Sequence, residues 1–182
     1  MEQARERILN AAEARLLTAG PGGLVLDAVA RDGGVSKGGL LYHFPSKEAL
    51  VGGLCERMLE RFDREIEALA AADPDPKGAW TRAYLVSTVG ADGKPADSSA
   101  QLMAGILATL GRDSKHLGAV RAHFARWHER LERDGLGRAT ATLVRLAADG
   151  LWLSALLGLQ RLDDELGRET ILALRALTAP PA

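Results

Sequence analysis

Ser36, Lys37, Tyr42, His43 and Lys47 set a hydroxyl, two ammonium groups, a phenol and an imidazole within twelve residues. All five donate hydrogen bonds, and the two lysines carry positive charge. Such a set suits the phosphate oxygens and base edges of a nucleic acid better than bond cleavage. Gly38 and Gly39 lie among them and, lacking side chains, allow close approach to a duplex. The chain has no phosphate-cradling glycine loop, no nucleophile elbow and no metal-ligand cluster. His116 and His123 are seven apart, hence on one helical face, but no third ligand accompanies them. Solvated histidines are the expectation there. Neither an enzyme, a metal nor another cofactor is expected.

These donors need elements to hold them. Residues 3–18 place Ile8, Leu9, Ala12 and Leu16 at helical spacing, and Gly20-Pro21-Gly22-Gly23 stops the run. A short segment follows from Asp27 to Asp32, with Asp27 in a first turn where negative charge is favoured. Gly34 supplies the backbone freedom for a tight turn. Ser36 then caps a second short helix that runs to Tyr42 or His43, and Pro45 closes it. Ser46 caps a helix that reaches about Ala72. Val29, Ala30, Val35 and Leu40 are placed to pack the two short helices together and onto the first helix. Such a helix-turn-helix can present its second helix to the major groove. Phe44 reads as core.

In this block the chain resembles the tetracycline-repressor (TetR) family of transcriptional regulators. The resemblance is carried by Ala30, Gly34-Val35-Ser36-Lys37-Gly38, Leu40 and the run from Tyr42-His43-Phe44-Pro45-Ser46-Lys47 to Leu50. The close match covers about 27–50, and a looser one the first 60 or so residues plus the later helix pattern. It implies that Lys37 and Gly38 start the recognition helix. It implies too that Tyr42 and His43 meet backbone phosphates, and that Lys47 reaches one from the next helix. His43 also has a reading as a structural or capping histidine. Two positions depart from the family pattern. Leu24-Val25-Leu26 stands where many relatives have a phosphate-touching Ser or Thr, and Leu41 where many have Tyr. Leu41 could meet a thymine methyl or simply pack.

The chain has 182 residues and a net charge of −1. Residues 1–50 carry six Lys or Arg and six Asp or Glu. DNA binding must therefore rest on where charges sit, not on a basic surface. Good helix formers dominate, and no stretch alternates with period two, so an all-α protein of about nine helices is expected. A single cysteine, Cys55, excludes an intramolecular disulfide. The charged N-terminus does not read as a signal peptide, and no uninterrupted apolar run approaches membrane length. A cytoplasmic protein without a membrane partner is the expectation.

Beyond residue 50, Asp73-Pro74-Asp75-Pro76, Gly90 to Pro95, Gly111-Arg112-Asp113 and Asp134 to Gly137 separate helices at about 76–89, 97–110, 114–133 and 138–160. A last helix spans about 163–177, and Pro180-Pro181 ends it. The domains expected are a DNA-binding unit at 1–50, linked through the helix at 46–72, and a body at 51–182. The resemblance makes that body a domain for ligand binding and dimerisation. Leu143 to Leu162 is apolar nearly all round, and Gly150, Ser154 and Gly158 recur every four residues. These residues, with Leu153, Leu157 and Leu174, are the candidate interface of a two-fold homodimer on a palindromic double-stranded DNA operator. Trp80, Tyr84, Met103, Leu107, Phe124, Trp127 and Trp152 are candidate lining for a small apolar or amphipathic effector. His116, His123, His128 and Gln101 are weaker polar candidates. The functional expectation is a ligand-responsive regulator, commonly a repressor. The alternatives are a regulator without a small-molecule ligand, or a helical enzyme.

Overall fold

The computed structural model describes residues 2–90, 97–109, 116–159 and 162–179, with side chains at 97–100 and 116 excepted. Its α-helices are α1 Glu2–Ala19, α2 Leu26–Asp32, α3 Lys37–His43, α4 Lys47–Ala72 and α5 Ala79–Val89. They continue with α6 Asp97–Thr109, α7 His116–Glu132, α8 Arg138–Leu157 and α9 Asp164–Ala176. A single 3-10 turn, Pro21–Gly23, follows α1. No strand occurs among the described residues, as the composition leads one to expect. The loop expected at 91–95, the breaker at 111–113, the His116 ring and the Pro180-Pro181 stop lie outside what is described.

The chain forms two compact units. One comprises Met1–Leu59 with Gln101–Val120, the other Glu60–Ala100 with Arg121–Ala182. In the first, Ile8, Leu9, Ala12 and Leu16 of α1 are buried with Leu24, Val29, Ala30, Leu40, Phe44, Leu50 and Leu54. Burying a full side chain of this kind is worth about 1.5–3 kcal/mol. Gly33 lies so near α1 that a Cβ would stand 3.3 Å from the Arg7 carbonyl oxygen. The Arg57 guanidinium, also buried, bonds Asn10 Oδ1 at 2.7 Å and Glu13, with Glu6 at 3.4 Å. Three acceptors from α1 thus satisfy a cation that burial would otherwise strand.

In the second unit α5 starts at Ala79, later than its proline-rich prelude suggests. Lys77 and Gly78 form a turn, with Gly78 at φ 81°. The cap comes from across the unit, where the Asp134 carboxylate accepts from Trp80 N at 3.2 Å and from Thr81 N and Oγ1 at 2.7 Å each. Arg82 binds Asp73 at 2.8 and 2.9 Å and the carbonyls of Asp75 at 2.6 Å and Thr178 at 3.0 Å. The Arg82 hydrogen bond is the main reason that the Asp73 carboxyl sits below the ordinary range.

α8 stops at Leu157, short of the expected 160, because Gly158 takes φ 63° and closes the helix. Gly158 is therefore a helix cap and not part of a row within α8. By length and composition α8 is apolar enough to cross a membrane, with mean hydropathy 1.3 over its best window. The expectation concerned an uninterrupted apolar run, and Arg145 and Asp149 do interrupt this one; α8 meets the measure only on its average. The two pair at 2.8 Å, one turn apart. Tyr84 on α5 donates to Asp149 at 2.6 Å and docks the helix within its unit.

Candidate nucleic-acid interface

The turn between α2 and α3 is built by local rules. Gly34 takes φ 61°, a region that side chains rarely enter. Val35 N returns to the Ala30 carbonyl at 3.0 Å. Ser36 is extended, and its Oγ accepts from Gly39 N at 3.0 Å, the expected N-cap. Leu40 faces the core. Phe44 closes α3 through a 2.8 Å bond from its N–H to the Leu40 carbonyl. Its ring is buried above Gly53, with the Arg5 guanidinium 5.6 Å from its centroid. Ser46 Oγ accepts from Ala49 N at 3.1 Å and starts α4.

The residues of the predicted set differ in exposure. Ser36, Lys37, Gly38, Leu41 and Tyr42 are exposed, Tyr42 by 74%. Gly39, His43 and Lys47 are half-buried. The Tyr42 and His43 rings meet edge-on with centroids 5.2 Å apart. Val25 caps α2 without a side-chain bond, as expected for a residue with no hydroxyl. Two contacts were not foreseen. Lys37 Nζ lies 2.9 Å from Asp27 Oδ1, and Lys47 Nζ donates to the Pro21 carbonyl at 3.0 Å. Asp27 was visible as a first-turn acid, but no residue pattern flags a backbone carbonyl.

The candidate pocket residues divide between the units. Met103 and Leu107 belong to the first, and Trp80, Tyr84, Phe124, Trp127 and Trp152 to the second. Trp80 and Tyr84 stack at 5.7 Å, and Trp127 lies 5.9 Å from Tyr84 and 4.9 Å from Phe124. Phe62 of α4 completes the cluster, 5.1 Å from Trp127 and 5.8 Å from Tyr84. Sequence reading missed it, a lone aromatic among charged neighbours. Each polar ring ends on a carboxylate: Trp80 on Glu67 at 3.2 Å, Trp127 on Asp63 at 2.5 Å, and Tyr84 on Asp149. Burial, then Asp149, pushes the Tyr84 phenol well above its ordinary value; burial likewise raises Asp149. His123 is not solvated. Its Nδ1 lies 3.1 Å from Asp63, on a side chain only 13% exposed. His128 Nε2 is 3.5 Å from Glu132, and Gln101 donates to the Leu17 carbonyl at 2.9 Å.

On α8, Leu143, Leu146, Gly150, Leu153 and Leu157 are exposed and Ser154 is half-buried. Leu166 and Leu172 are exposed on α9, whereas Leu174 is buried within the unit.

A capped short helix held outward by a glycine turn, on an all-helical chain, defines a helix-turn-helix DNA-binding regulator. Residues 8–54 match the family model described as bacterial regulatory proteins, tetR family. Residues 78–179 match that of the tetracyclin repressor-like C-terminal domain. The chain belongs to the TetR family of DNA-binding transcriptional regulators. It is similar to the TetR family member SCO1917 from Streptomyces coelicolor A3, at 26% identity, covering 94% of this chain and 97% of that one with a TM-score of 0.64. It is also similar to the multidrug binding protein EbrR complexed with ethidium, at 27% identity, with 97% and 99% covered and a TM-score of 0.66. A transcriptional regulator from Rhodococcus sp. Rha1, at 20% identity, shares the fold with a TM-score of 0.73 over 96% and 95% of the two chains. No curated protein matches the chain.

Proposed function

We propose that this regulator is a ligand-responsive repressor that binds a palindromic operator as a homodimer. Ser36, Lys37, Gly38, Gly39, Leu41, Tyr42, His43 and Lys47 form the DNA-facing set. The observation that carries this reading is the polarity of α3: Leu40 is buried while Lys37, Gly38, Leu41 and Tyr42 are exposed. The cations are few, so docking depends on position, with Lys47 and His43 fixing the helix on phosphates and Lys37 and Leu41 facing bases. Residues 1–50 act as the DNA-binding domain, 51–182 as the effector and dimer domain, in the cytoplasm.

The second copy is supported by the exposed leucines of α8 and α9, with Leu143 56% and Leu172 65% exposed. Large apolar faces on regular helices mark interaction surfaces. Gly150, Leu153, Ser154 and Leu157 lie on α8 where a symmetry mate would pack, with Gly158 at its end. A two-fold dimer reads two half-sites about one DNA turn apart. EbrR has been seen with ethidium, malachite green and imidazole, which supports a small effector here. A small apolar or amphipathic compound would enter near Trp80, Tyr84, Phe124, Trp127 and Trp152. α4 is the natural lever, since it carries Lys47 in its first turn and Asp63 and Glu67 further on. Release requires that the effector bind the DNA-incompetent state more tightly.

One observation favours a regulator with no small-molecule ligand. Trp80, Tyr84 and Trp127 are all at least 95% buried with their polar atoms satisfied, as in a filled core. A thermal-shift screen with lipophilic compounds separates the readings, because only the first expects a stabilised protein that releases DNA. For the DNA reading, duplexes are selected from a random pool and binding is followed against salt. Lys47→Ala should weaken all duplexes and flatten the log–log salt slope by about one. Unchanged affinity after replacing Lys37, His43 and Lys47 together would refute the interface.

A further inference from the structure

Lys37 in the first turn of α3 faces Asp27 in the first turn of α2, with Nζ 2.9 Å from Oδ1 and 3.2 Å from Oδ2. The two side chains are 62% and 64% exposed. A pair so open to water contributes little to stability. Its consequence lies in the charge that α3 offers to DNA. In α3 itself, Lys-Gly-Gly-Leu-Leu-Tyr-His, only Lys37 carries a fixed positive charge. Asp27 cancels it within hydrogen-bond distance.

Cancellation does not act equally on the two kinds of DNA contact. A phosphate takes lysine as a point charge, and a neighbouring carboxylate removes most of that attraction. The carboxylate adds repulsion of its own: roughly 6 Å from a phosphate in water, it weakens binding about threefold. A base edge instead takes a directed N–H. The ammonium has three, and pairing with Asp27 leaves others available and holds the side chain in place. Guanine O6 and N7 are the acceptors best suited to them.

We propose that Asp27 is a specificity-determining residue that acts through Lys37, lowering sequence-independent phosphate binding and holding the ammonium for a base acceptor. The proposal rests on the reading that α3 enters the major groove. It makes Asp27 a positioning residue, and it assigns a function to a carboxylate that simple charge counting would score as unfavourable.

The test uses the full chain and two probes, the duplex that it enriches from a random pool and a scrambled duplex of equal length and composition. Asp27→Asn should tighten binding to the scrambled duplex about threefold or more and steepen its salt slope by about one. The ratio of affinities for selected over scrambled DNA should fall. In a Lys37→Ala background that ratio should no longer respond to Asp27→Asn, while Asp27→Glu should keep it near wild type. An unchanged ratio and slope in Asp27→Asn, with Lys37→Ala still altering binding, overturns the proposal and leaves the DNA reading standing. So does equal loss on both probes accompanied by a lowered melting temperature, which marks a structural role. Lys37→Ala without effect on either probe also overturns it. Failure of the wild-type chain to enrich any duplex defeats the underlying reading itself.

Discussion

Gly53→Ala sets two effects of known size against each other. Gly53 lies inside α4, where alanine is favoured over glycine by about 0.8–1 kcal/mol. Propensity alone therefore forecasts a more stable protein. The packing forecasts the reverse. A Cβ at Gly53 would stand 2.6 Å from Phe44 Cε1, 3.3 Å from Cζ and 3.4 Å from Leu9 Cδ2. Carbon atoms settle at about 3.5–4.0 Å, so the ring must retreat by roughly 1 Å. Phe44 is buried and cannot swing aside into solvent. Overpacking costs about 1–3 kcal/mol, and a 2.6 Å approach to a buried ring belongs to the upper part of that range, about 2–3 kcal/mol; subtracting the propensity gain leaves a net loss of about 1–2 kcal/mol. For a chain of this size the melting temperature should fall by about 2–8 °C. Urea unfolding followed by helix circular dichroism gives the free energy directly. Phe44→Leu in the Gly53→Ala background should recover part of the loss, and the double-mutant cycle should show coupling. A Gly53→Ala protein as stable as the wild type, or more so, would mean that the ring does not hold the exit of α3 in this way.

Three further outcomes follow from the same structure. Gly38→Ala meets no atom within 4 Å, so stability should hold or rise by up to about 1 kcal/mol, while affinity for the selected duplex falls at least ~10-fold; unchanged affinity would place Gly38 away from DNA. Gly150→Ala likewise meets open space within the chain, yet should weaken dimerisation in sedimentation equilibrium if α8 packs on its symmetry mate; an unaffected dimer would move the interface elsewhere. Asp73 is held below the ordinary carboxylate range chiefly by its hydrogen bond from Arg82, so the unfolded chain takes up that proton more readily than the folded one. Its stabilisation is complete above the unfolded value and is lost as pH falls through the folded one; Arg82→Met should flatten that acid-side decline in unfolding experiments.

The recognition motif was legible because its determinants are local. Ser36, Ser46 and Gly34 act within a few residues of themselves, and each does what its position suggests. The N-terminal core followed from spacing, with Ile8, Leu9, Ala12 and Leu16 all buried. What escaped was long-range or backbone-borne. Asp134 caps α5 from more than fifty residues away, and no periodicity announces such a partner. Lys47 rests on a peptide carbonyl, an acceptor present at every residue and so invisible by type. His123 looked like a surface histidine because Asp63, which holds it, belongs to another helix. The candidate lining residues shared a character, apolar and bulky, but not a location; Met103 and Leu107 fall in one unit and the aromatic rings in the other.

The adjacent glycines of the recognition turn are not interchangeable. Gly33 has φ −77°, open to any residue, and is excluded only by volume, with carbonyl oxygens of Val29 and Arg7 at 3.1 and 3.3 Å from a would-be Cβ. Gly34 has empty space outside it and is excluded only by chirality, since φ 61° is the mirror image of what an L-residue prefers. A side chain at 33 requires the backbones of α1 and α2 to give by a few tenths of an ångström, whereas no shift in the surroundings relieves 34. Tolerance to substitution in this turn is thus a matter of room at one residue and of handedness at the next.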